Sequence, residues 1–354
     1  MRVTSHFDPA QVAAGAPTPM MVPCDDGWTL ALHRFAPKVP CRNSPVLMVH
    51  GIAANRLHFD LDPRYSLARA VRARGFDTYV LELRGAGLSC PPQHFGLRPS
   101  SWGLRDYTER DVPTVISAIL EATGARQLHG VGHSMGGMIL FAVGVGAQSE
   151  IASITSVGTP LVGALSQSLS ARERRLMNLV ARLTPAASFT PPGQRRVPLR
   201  RLLGAAGKIM PLSQRLADNF LVNVNNCEPW VLTKLASEGI HDIPVQLITE
   251  ITQHVAAGAS PFGPYAYEAA LHGIDAPVFA LSGSVDRIAP PESVAAAIAE
   301  MVGPDVRYRE MGIAQGDRCD YGHVDLLVGV NAPDEVYPQI IDFLLEVDGN
   351  LKGP

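Results

Sequence analysis

A serine between two glycines, Gly132-His133-Ser134-Met135-Gly136, comes directly after the apolar run Gln127–Val131. Such a run predicts a buried strand, and the apolar stretch Met135–Ala147 that follows predicts a buried helix. A turn this tight forces its central residue into a strained backbone conformation. It also needs small neighbours, because a Cβ at position 132 or 136 would collide with the adjoining strand and helix. The sequence therefore predicts a strand, a sharp turn with a hydroxyl at its tip, and a helix.

A serine hydroxyl at such a turn is a weak nucleophile until an imidazole accepts its proton and an acid orients that imidazole. Asp286 lies in the loop after the apolar run Pro277–Leu281, and His323 lies in the polar loop after the run Val306–Met311. Serine, acid and histidine thus each follow a predicted strand, in the order Ser134, Asp286, His323. This order predicts a catalytic triad made of these three residues.

Two other acids compete with Asp286 for the role of orienting His323. Asp320 and Asp325 flank the histidine in the sequence. We favour Asp286, because Asp325 would have to turn back from the helix expected after His323.

Two other histidines lie near the serine or near a strand end. His133 precedes Ser134, but a neighbour in a tight turn cannot easily reach the attack face of the serine, so we expect it to pack behind the turn. His50 begins the loop after the run Pro45–Val49, where we expect it to form hydrogen bonds with the backbone. We assign structural roles to both.

The sequence resembles the α/β-hydrolase superfamily, particularly its cap-bearing serine esterase and lipase branch. The resemblance covers the chain from about Pro45 to Ser156 and from about Pro277 to Leu345. Four motifs carry it: His50-Gly51-Ile52, Gly132-x-Ser134-x-Gly136, Ser282-Gly283-x-x-Asp286 and Gly322-His323.

This resemblance implies an α/β fold with a mostly parallel eight-stranded sheet, helices on both faces and a helical cap inserted after the sixth strand. We expect residues 1–158 and 276–354 to form the two parts of the hydrolase core and residues 159–275 to form the cap. Short apolar runs agree with buried parallel strands: Pro45–Val49, Asp77–Leu83, Gln127–Val131, Ile151–Val157, Pro277–Leu281 and Val306–Met311. Before them, Met20–Val22 and Trp28–Phe35 predict an antiparallel pair.

An attacked ester carbonyl develops negative charge, which two backbone N–H groups must stabilise. Met135, directly after the serine, is expected to provide one donor at the start of its helix. The other is expected from the loop after His50-Gly51, with Ile52 preferred and Ala53 as the alternative. This loop reads His-Gly-Ile rather than the His-Gly-Gly-Gly of some small-ester enzymes, and the substrate class stays open.

The centre of the expected cap is strongly basic. Residues 171–215 contain ten Lys or Arg and one acid, Glu173. Leu176, Leu179, Val180 and Leu183 have the spacing of one helix face, which predicts that apolar cap faces cover the active site. Three interpretations of the arginines remain open: a solvated outer face, contact with an anionic lipid surface, or a clamp for an anionic acyl substrate.

Two further segments are expected to serve the scaffold. The turn Glu82–Ser89 resembles the turn after the fourth strand of the superfamily, where Glu82 and Arg84 would brace the sheet edge. A helical stripe of apolar residues predicts core packing, and it comprises Val112, Val115, Ile116, Ile119 and Leu120.

Composition excludes several other classes of protein. Net charge is −3 with 46% hydrophobic residues, and no basic block interleaved with aromatics indicates a nucleic-acid partner. No apolar run approaches the roughly 20 residues of a membrane span, and Met1–Ala10 lacks the apolar core of a secretory signal. Five cysteines without a C-x-x-C motif favour reduced thiols, so we expect a cytoplasmic protein.

The function expected from these features is hydrolysis of a carboxylic ester through an acyl-serine intermediate, with a small-molecule ester or acyl compound as substrate. An acyltransferase would use the same acyl-enzyme with a non-water acceptor. A ligand-binding homologue without catalysis belongs to a different class. Because the superfamily needs no metal and the sequence has no H-E-x-x-H motif, we expect neither a metal nor a cofactor.

Overall fold

The computed structural model describes residues 19–38, 44–91, 102–161, 196–197, 221–256, 272–303 and 305–351. Its centre is an eight-stranded sheet. In chain order the strands are β1 Met20–Pro23, β2 Thr29–Phe35, β3 Val46–Val49, β4 Thr78–Glu82, β5 Leu128–His133, β6 Ile151–Val157, β9 Val278–Gly283 and β10 Val306–Met311. Two short strands, β7 Arg196–Val197 and β8 Ile243–Pro244, pair separately from it.

The sheet has the order β1-β2-β4-β3-β5-β6-β9-β10. The strands β1 and β2, and the strands β2 and β4, pair antiparallel, and every other neighbouring pair is parallel. The carboxyl ends of β3, β5, β6, β9 and β10 therefore meet along one edge, where loops from distant parts of the chain come together. The predicted mostly parallel eight-stranded α/β sheet is confirmed.

Helices cover both faces of the sheet. The described helices are α1 Leu67–Ala73, α2 Leu104–Asp106, α3 Val112–Thr123, α4 Met135–Gly146, α5 Pro229–Glu238, α6 Val245–Ala256, α7 Pro291–Ala299, α8 Asp325–Val328 and α9 Ala332–Leu351. A π-helical turn, Tyr107–Asp111, joins α2 to α3. The faces of α3, α4 and α7 pack into one apolar cluster, and those of α1, α5, α8 and α9 pack into the other.

Successive side chains of a strand point to opposite faces of the sheet, so they belong alternately to the two clusters. Leu47 and Val49 of β3 belong to the first cluster, whereas Val46 and Met48 belong to the second. All four side chains are fully buried, as expected for a central strand covered on both faces. The helical stripe predicted for α3 also lies in the core, with Leu120 at its partly buried margin.

The described strands follow the apolar runs closely. The strands β6 and β10 have the predicted bounds, while β5 continues two residues further than expected. Gly132 and His133 pair with Ser156 and Val157 of β6, so the strand ends directly at Ser134. The serine therefore stands at the sheet edge itself.

Between β6 and β9 the chain leaves the large sheet. The described part of this insertion contains α5, α6 and the pair β7–β8. The arginine-rich residues 171–215 and the predicted helix face Leu176, Leu179, Val180 and Leu183 lie outside the described residues, apart from the strand Arg196–Val197. The orientation of that basic surface stays a prediction.

Candidate active site

The turn at Ser134 has the strained backbone that the sequence predicts. Its φ is 55° and its ψ is −123°, a conformation that L-residues other than glycine rarely adopt. The Ser134 N–H donates to the Val157 carbonyl at 3.0 Å, which anchors the turn to the end of β6. The hydroxyl is therefore presented at a fixed point between β5 and α4.

Glycine neighbours make this turn sterically feasible. A Cβ on Gly136 would lie 2.0 Å from the Val49 carbonyl oxygen, and one on Gly132 would lie 2.4 Å from the Gly137 backbone. Gly51 faces the serine directly, since a Cβ there would approach the Ser134 Cβ to 3.0 Å. The two glycines of the motif are thus required by close packing against β3 and α4.

Asp286 and His323 are brought together from separate loops. His323 Nδ1 lies 2.8 Å from Asp286 Oδ2, and both side chains are buried. The other carboxylate oxygen, Asp286 Oδ1, accepts hydrogen bonds from the N–H groups of Ile288 and Ala289. A carboxylate held in this way accepts a hydrogen bond from Nδ1–H, so the Nε2 atom of His323 carries the lone pair that a general base needs.

The other two acids are used elsewhere. Asp320 Oδ1 accepts from Ser284 Oγ at 2.9 Å and from the Ile313 N–H at 3.1 Å. Asp325 is completely buried and accepts from three N–H donors, those of Gly322, Asn223 and Asn226 Nδ2, while burial raises its pKa to about 6. Among the three candidate acids, Asp286 is the one hydrogen-bonded to the His323 ring.

Ser134 follows a residue that packs against the His323 ring. Its sequence neighbour His133 has its ring centroid 4.8 Å from that of His323, and His133 Nε2 lies 3.1 Å from the His323 carbonyl oxygen. No hydrogen bond joins Ser134 to His323 among the described residues. Catalytic hydrogen bonds of unliganded sites are often long and shorten when substrate binds.

His133 supports the histidine loop from behind. A carbonyl oxygen only accepts, so His133 Nε2 must be the protonated ring nitrogen. Burial lowers the pKa of His133 well below its usual value, and the neighbouring His323 and His58 act in the same direction. It is therefore a neutral packing residue, as expected from its place in the turn.

His50 fixes the loop that follows β3. Its Nδ1 atom donates to the Gly51 carbonyl at 2.8 Å, and its Nε2 atom accepts from the Leu83 N–H at 3.2 Å. Burial lowers the pKa of His50 to about 4, so the ring remains neutral and keeps both bonds. These contacts join the loop to the end of β4.

The two predicted oxyanion donors belong to different segments of the chain. Met135 is the first residue of α4, and Ile52 lies in the turn Gly51–Ala54, which is closed by a bond from the Ala54 N–H to the Gly51 carbonyl. Neither the Ile52 N–H nor the Met135 N–H donates to any described group. Ala53 has a φ of 56°, so the turn that contains Ile52 also includes a strained residue.

Some residues of this site were not foreseen from the sequence. His241 contacts the Gly51–Ala54 turn and the adjoining Asn55, and Asn223 and Asn226 contact the loop that bears His323. No local motif marks them, because their partners lie far away along the chain. A cavity of about 20 Å³, with room for one water molecule, borders Gly51, Ala53, Met135 and His241.

Neither a metal cluster nor a membrane span is found within the described ranges. No group of three or more His, Cys, Asp or Glu side chains there has the arrangement of a metal site. No helix in those ranges is both long enough and apolar enough to cross a bilayer.

Comparison with known proteins agrees with the geometry. A sequence profile described as the alpha/beta hydrolase fold matches residues 44–311. Human lipase member K is 24% identical over 357 residues, covering 91% of this chain and 86% of that protein. Triacylglycerol lipase 1 of Arabidopsis thaliana is 25% identical over 354 residues, covering 90% and 84%.

The fold also matches solved structures. The crystal structure of Paleococcus ferrophilus monoacylglycerol lipase superposes with a TM-score of 0.58 at 18% identity, covering 90% of this chain and 99% of that one. At this level of identity, the similarity concerns the fold alone.

Proposed function

The chain belongs to the α/β-hydrolase fold family, and from this premise we propose that it is a serine hydrolase that cleaves carboxylic esters. The observation that carries the proposal is the 2.8 Å contact between His323 and Asp286, buried beside the strained turn of Ser134. The chain is distantly homologous to lipases, which agrees with ester lipids as the substrate class.

The first half-reaction forms the acyl-enzyme. Ser134 Oγ attacks the carbonyl carbon of the ester while His323 Nε2 takes the hydroxyl proton. The negative charge on the carbonyl oxygen is stabilised by the N–H groups of Ile52 and Met135. Collapse of this intermediate breaks the bond to the alcohol oxygen, and His323 returns the proton to the leaving alcohol.

The second half-reaction releases the acid. Water gives a proton to His323 and attacks the acyl carbon, and the bond to Ser134 Oγ then breaks as the proton returns to the serine. Asp286 keeps the imidazole in the required tautomer throughout and stabilises the imidazolium that forms twice. Its second oxygen is held by two backbone N–H groups, so the carboxylate cannot rotate freely.

The direct test is Ser134→Ala with an active-site probe. Wild-type protein should react with a fluorophosphonate and hydrolyse p-nitrophenyl esters. The variant should lose labelling and on the order of 10⁴- to 10⁶-fold in rate, because the nucleophile is gone. A matched control is Ser156→Ala, which removes another buried hydroxyl that has no hydrogen-bond partner among the described residues. A Ser134→Ala protein that keeps a tenth of the wild-type rate would contradict the assignment.

Product analysis separates hydrolysis from acyl transfer. A series of p-nitrophenyl esters from acetate to palmitate, with and without an added alcohol, reports both the preferred chain length and the acceptor. Free acid as the main product supports the proposed hydrolase. A new ester as the main product at low alcohol concentration would identify an acyltransferase, and absence of labelling would indicate a binding protein.

A further inference from the structure

One stretch of the insertion, Leu221–Pro244, touches the active site at both of its ends. We call it the bridging segment. Its first part runs beside the loop that bears His323. The Val324 N–H donates to the Leu221 carbonyl at 2.9 Å, and the Val330 N–H donates to the Asn226 carbonyl at 2.7 Å. Backbone bonds thus hold this part of the segment on both sides of α8.

Side chains strengthen this first contact. Asn226 Nδ2 donates to the buried Asp325 carboxylate at 3.0 Å, and the Asn223 N–H donates to the same group at 3.0 Å. Asn223 Nδ2 donates to the Asp320 carbonyl at 2.7 Å. Because Asp325 also accepts from the Gly322 N–H, one carboxylate joins the segment to the residue directly before His323.

The close approach of the backbones confirms how tightly these parts fit. A Cβ on Gly322 would lie 2.8 Å from both the Asn223 nitrogen and the Asp325 Oδ1 atom. A Cβ on Gly329 would lie 2.6 Å from Asn226 Nδ2. The loop bearing His323 therefore has no room to shift toward the bridging segment.

The other end of the segment holds the turn that contains Ile52. The His241 N–H donates to the Ala53 carbonyl at 2.7 Å, at the residue whose φ is 56°. Asn55 Nδ2 donates to the Glu238 carbonyl at 2.7 Å. The strained turn is thus fixed by two hydrogen bonds to residues that lie more than 180 positions later in the chain.

The His241 ring adds a third connection at this end. Its Nε2 atom lies 3.2 Å from the Gly87 nitrogen, which is a donor, and 3.0 Å from Asn55 Nδ2. The Asn55 amide is oriented by its other bonds, since its oxygen accepts from the Leu57 N–H. His241 Nε2 is therefore an acceptor that joins the turn after β4 to the turn after β3.

Between its two ends the segment is anchored in the core. Val231 and Leu235 of α5 belong to the second apolar cluster, and Ile243 belongs to the first. Arg64 forms an ion pair with Glu228 at 3.0 Å at the start of α5. The bridging segment is therefore fixed to the core between its two ends.

From these contacts we propose that the bridging segment positions two parts of the active site. Asn226 holds the loop that bears His323, and His241 holds the oxyanion turn, which is the Gly51–Ala54 turn that contains Ile52. That these two parts belong to an active site rests on the proposed function. Both are positioning residues: the backbone and side-chain bonds they make fix groups that touch the substrate, and neither needs to touch it.

The position of the oxyanion turn should affect kcat for a physical reason. An oxyanion donor stabilises the transition state more than the ground state, because the negative charge is present only there. A turn that is loosened by a fraction of an ångström therefore lowers kcat more than it raises KM.

The test at the oxyanion end compares His241→Phe with His241→Gln. Phenylalanine keeps the volume but removes the acceptor for Gly87 and Asn55, whereas the glutamine amide oxygen can reach the same position. We expect His241→Phe to lower kcat about 10- to 100-fold with KM within about threefold of wild type. The glutamine variant should recover most of that loss.

The test at the histidine end uses Asn226→Ala, which removes one donor to Asp325. We expect a similar fall in kcat, and a double variant with His241→Phe should show roughly the product of the two effects, because the two contacts are separate. Lys234→Ala is the matched control, since it removes only the surface ion pair with Glu238 on α5.

Hydrogen exchange measured by mass spectrometry tests, independently of activity, whether the bridging segment holds the two loops. His241→Phe should speed exchange in peptides covering Gly51–Asn55 and leave those covering 320–330 unchanged, and Asn226→Ala should do the reverse. Unchanged exchange at the targeted loop in either variant would overturn the proposal, whatever its activity. If the wild-type protein hydrolyses no ester, the proposed function fails, while the exchange rates still decide whether the segment holds the two loops.

Discussion

Backbone strain in this protein is concentrated at two residues of the candidate site. Within the described ranges, Ala53 and Ser134 are the non-glycine residues with positive φ. Each such conformation costs roughly 1–3 kcal/mol and persists only where surrounding contacts enforce it. For Ser134 these contacts are the bond to Val157 and the packing of α4 on β3, and for Ala53 the bond from His241.

The glycines around Ser134 provide a test of this enforcement. We expect Gly136→Ala to destabilise the protein by several kcal/mol or to prevent folding, because its Cβ would lie 2.0 Å from a carbonyl oxygen of β3. Gly146→Ala in the same helix meets no atom within 4 Å and should be neutral or stabilise by about 0.5–1 kcal/mol. Denaturant unfolding of the two variants measures the difference, and equal stabilities would contradict the steric explanation.

At the scale of elements, the turn after β4 is held by a buried arginine. Arg84 Nη1 lies 2.8 Å from Asp26 Oδ2, and Arg84 Nε lies 2.9 Å from Asp111 Oδ1. Asp111 is completely buried at the end of the π-helical turn that leads into α3. One guanidinium thus joins the sheet edge to the start of a core helix, which is the scaffold role expected from the sequence.

This network predicts a large loss of stability for Arg84→Met. The change leaves the Asp111 carboxylate buried without its cation, which costs about 3–5 kcal/mol. Arg105→Ala offers the contrast, because it removes an ion pair with Glu109 whose side chains are largely exposed, and such pairs contribute at most about 1 kcal/mol. Thermal and denaturant unfolding measure both variants, and an Arg84→Met protein as stable as wild type would show that the pair is not structural.

The strands and the serine turn could be predicted because their signals are local. A run of apolar residues marks a strand covered on both faces, and the glycines that flank Ser134 follow from the sterics of one turn. The two-residue extension of β5 was missed, because Gly132 and His133 are strand residues through pairing with β6. Their neighbours along the chain do not reveal that pairing.

The positions of Asp286 and His323 could be predicted from their place after strands, and the contacts of the bridging segment could not. His241 acts partly through its backbone N–H, which every residue except proline possesses. Asn226 contacts an aspartate 99 positions away. Only the packing of α5 on the core places these donors, and no sequence window contains that information.

At the scale of the whole molecule, the core contains histidines that must stay neutral. Burial lowers the pKa of His50, His58, His129 and His133, that of His50 to about 4 and that of His58 to about 3. In the unfolded chain an imidazole has a pKa of about 6.5. Each of these four therefore takes up a proton on unfolding in mildly acidic solution, and its contribution to stability is lost as pH falls below about 6.5.

Asp325 acts in the opposite direction. Burial raises the pKa of its carboxyl to about 6, above the ordinary value of 3.8, so the folded state binds this proton more readily than the unfolded state does. Its contribution to stability therefore increases as pH falls from about 6 toward 4. One proton released on unfolding offsets part of the uptake by the buried histidines.

This balance predicts that acid destabilises the fold at pH values well above those at which ordinary carboxyl groups titrate. The protons taken up by the buried histidines outnumber the one released by Asp325, so unfolding takes up protons on balance near pH 5. Urea unfolding at several values between pH 7 and pH 5 should show the free energy of unfolding falling as pH falls. His129→Asn, which keeps a nitrogen near Ser153 Oγ but does not titrate, should reduce the proton uptake and make this fall shallower. Stability that is constant or rises over this range would mean that the buried histidines are already protonated in the folded protein.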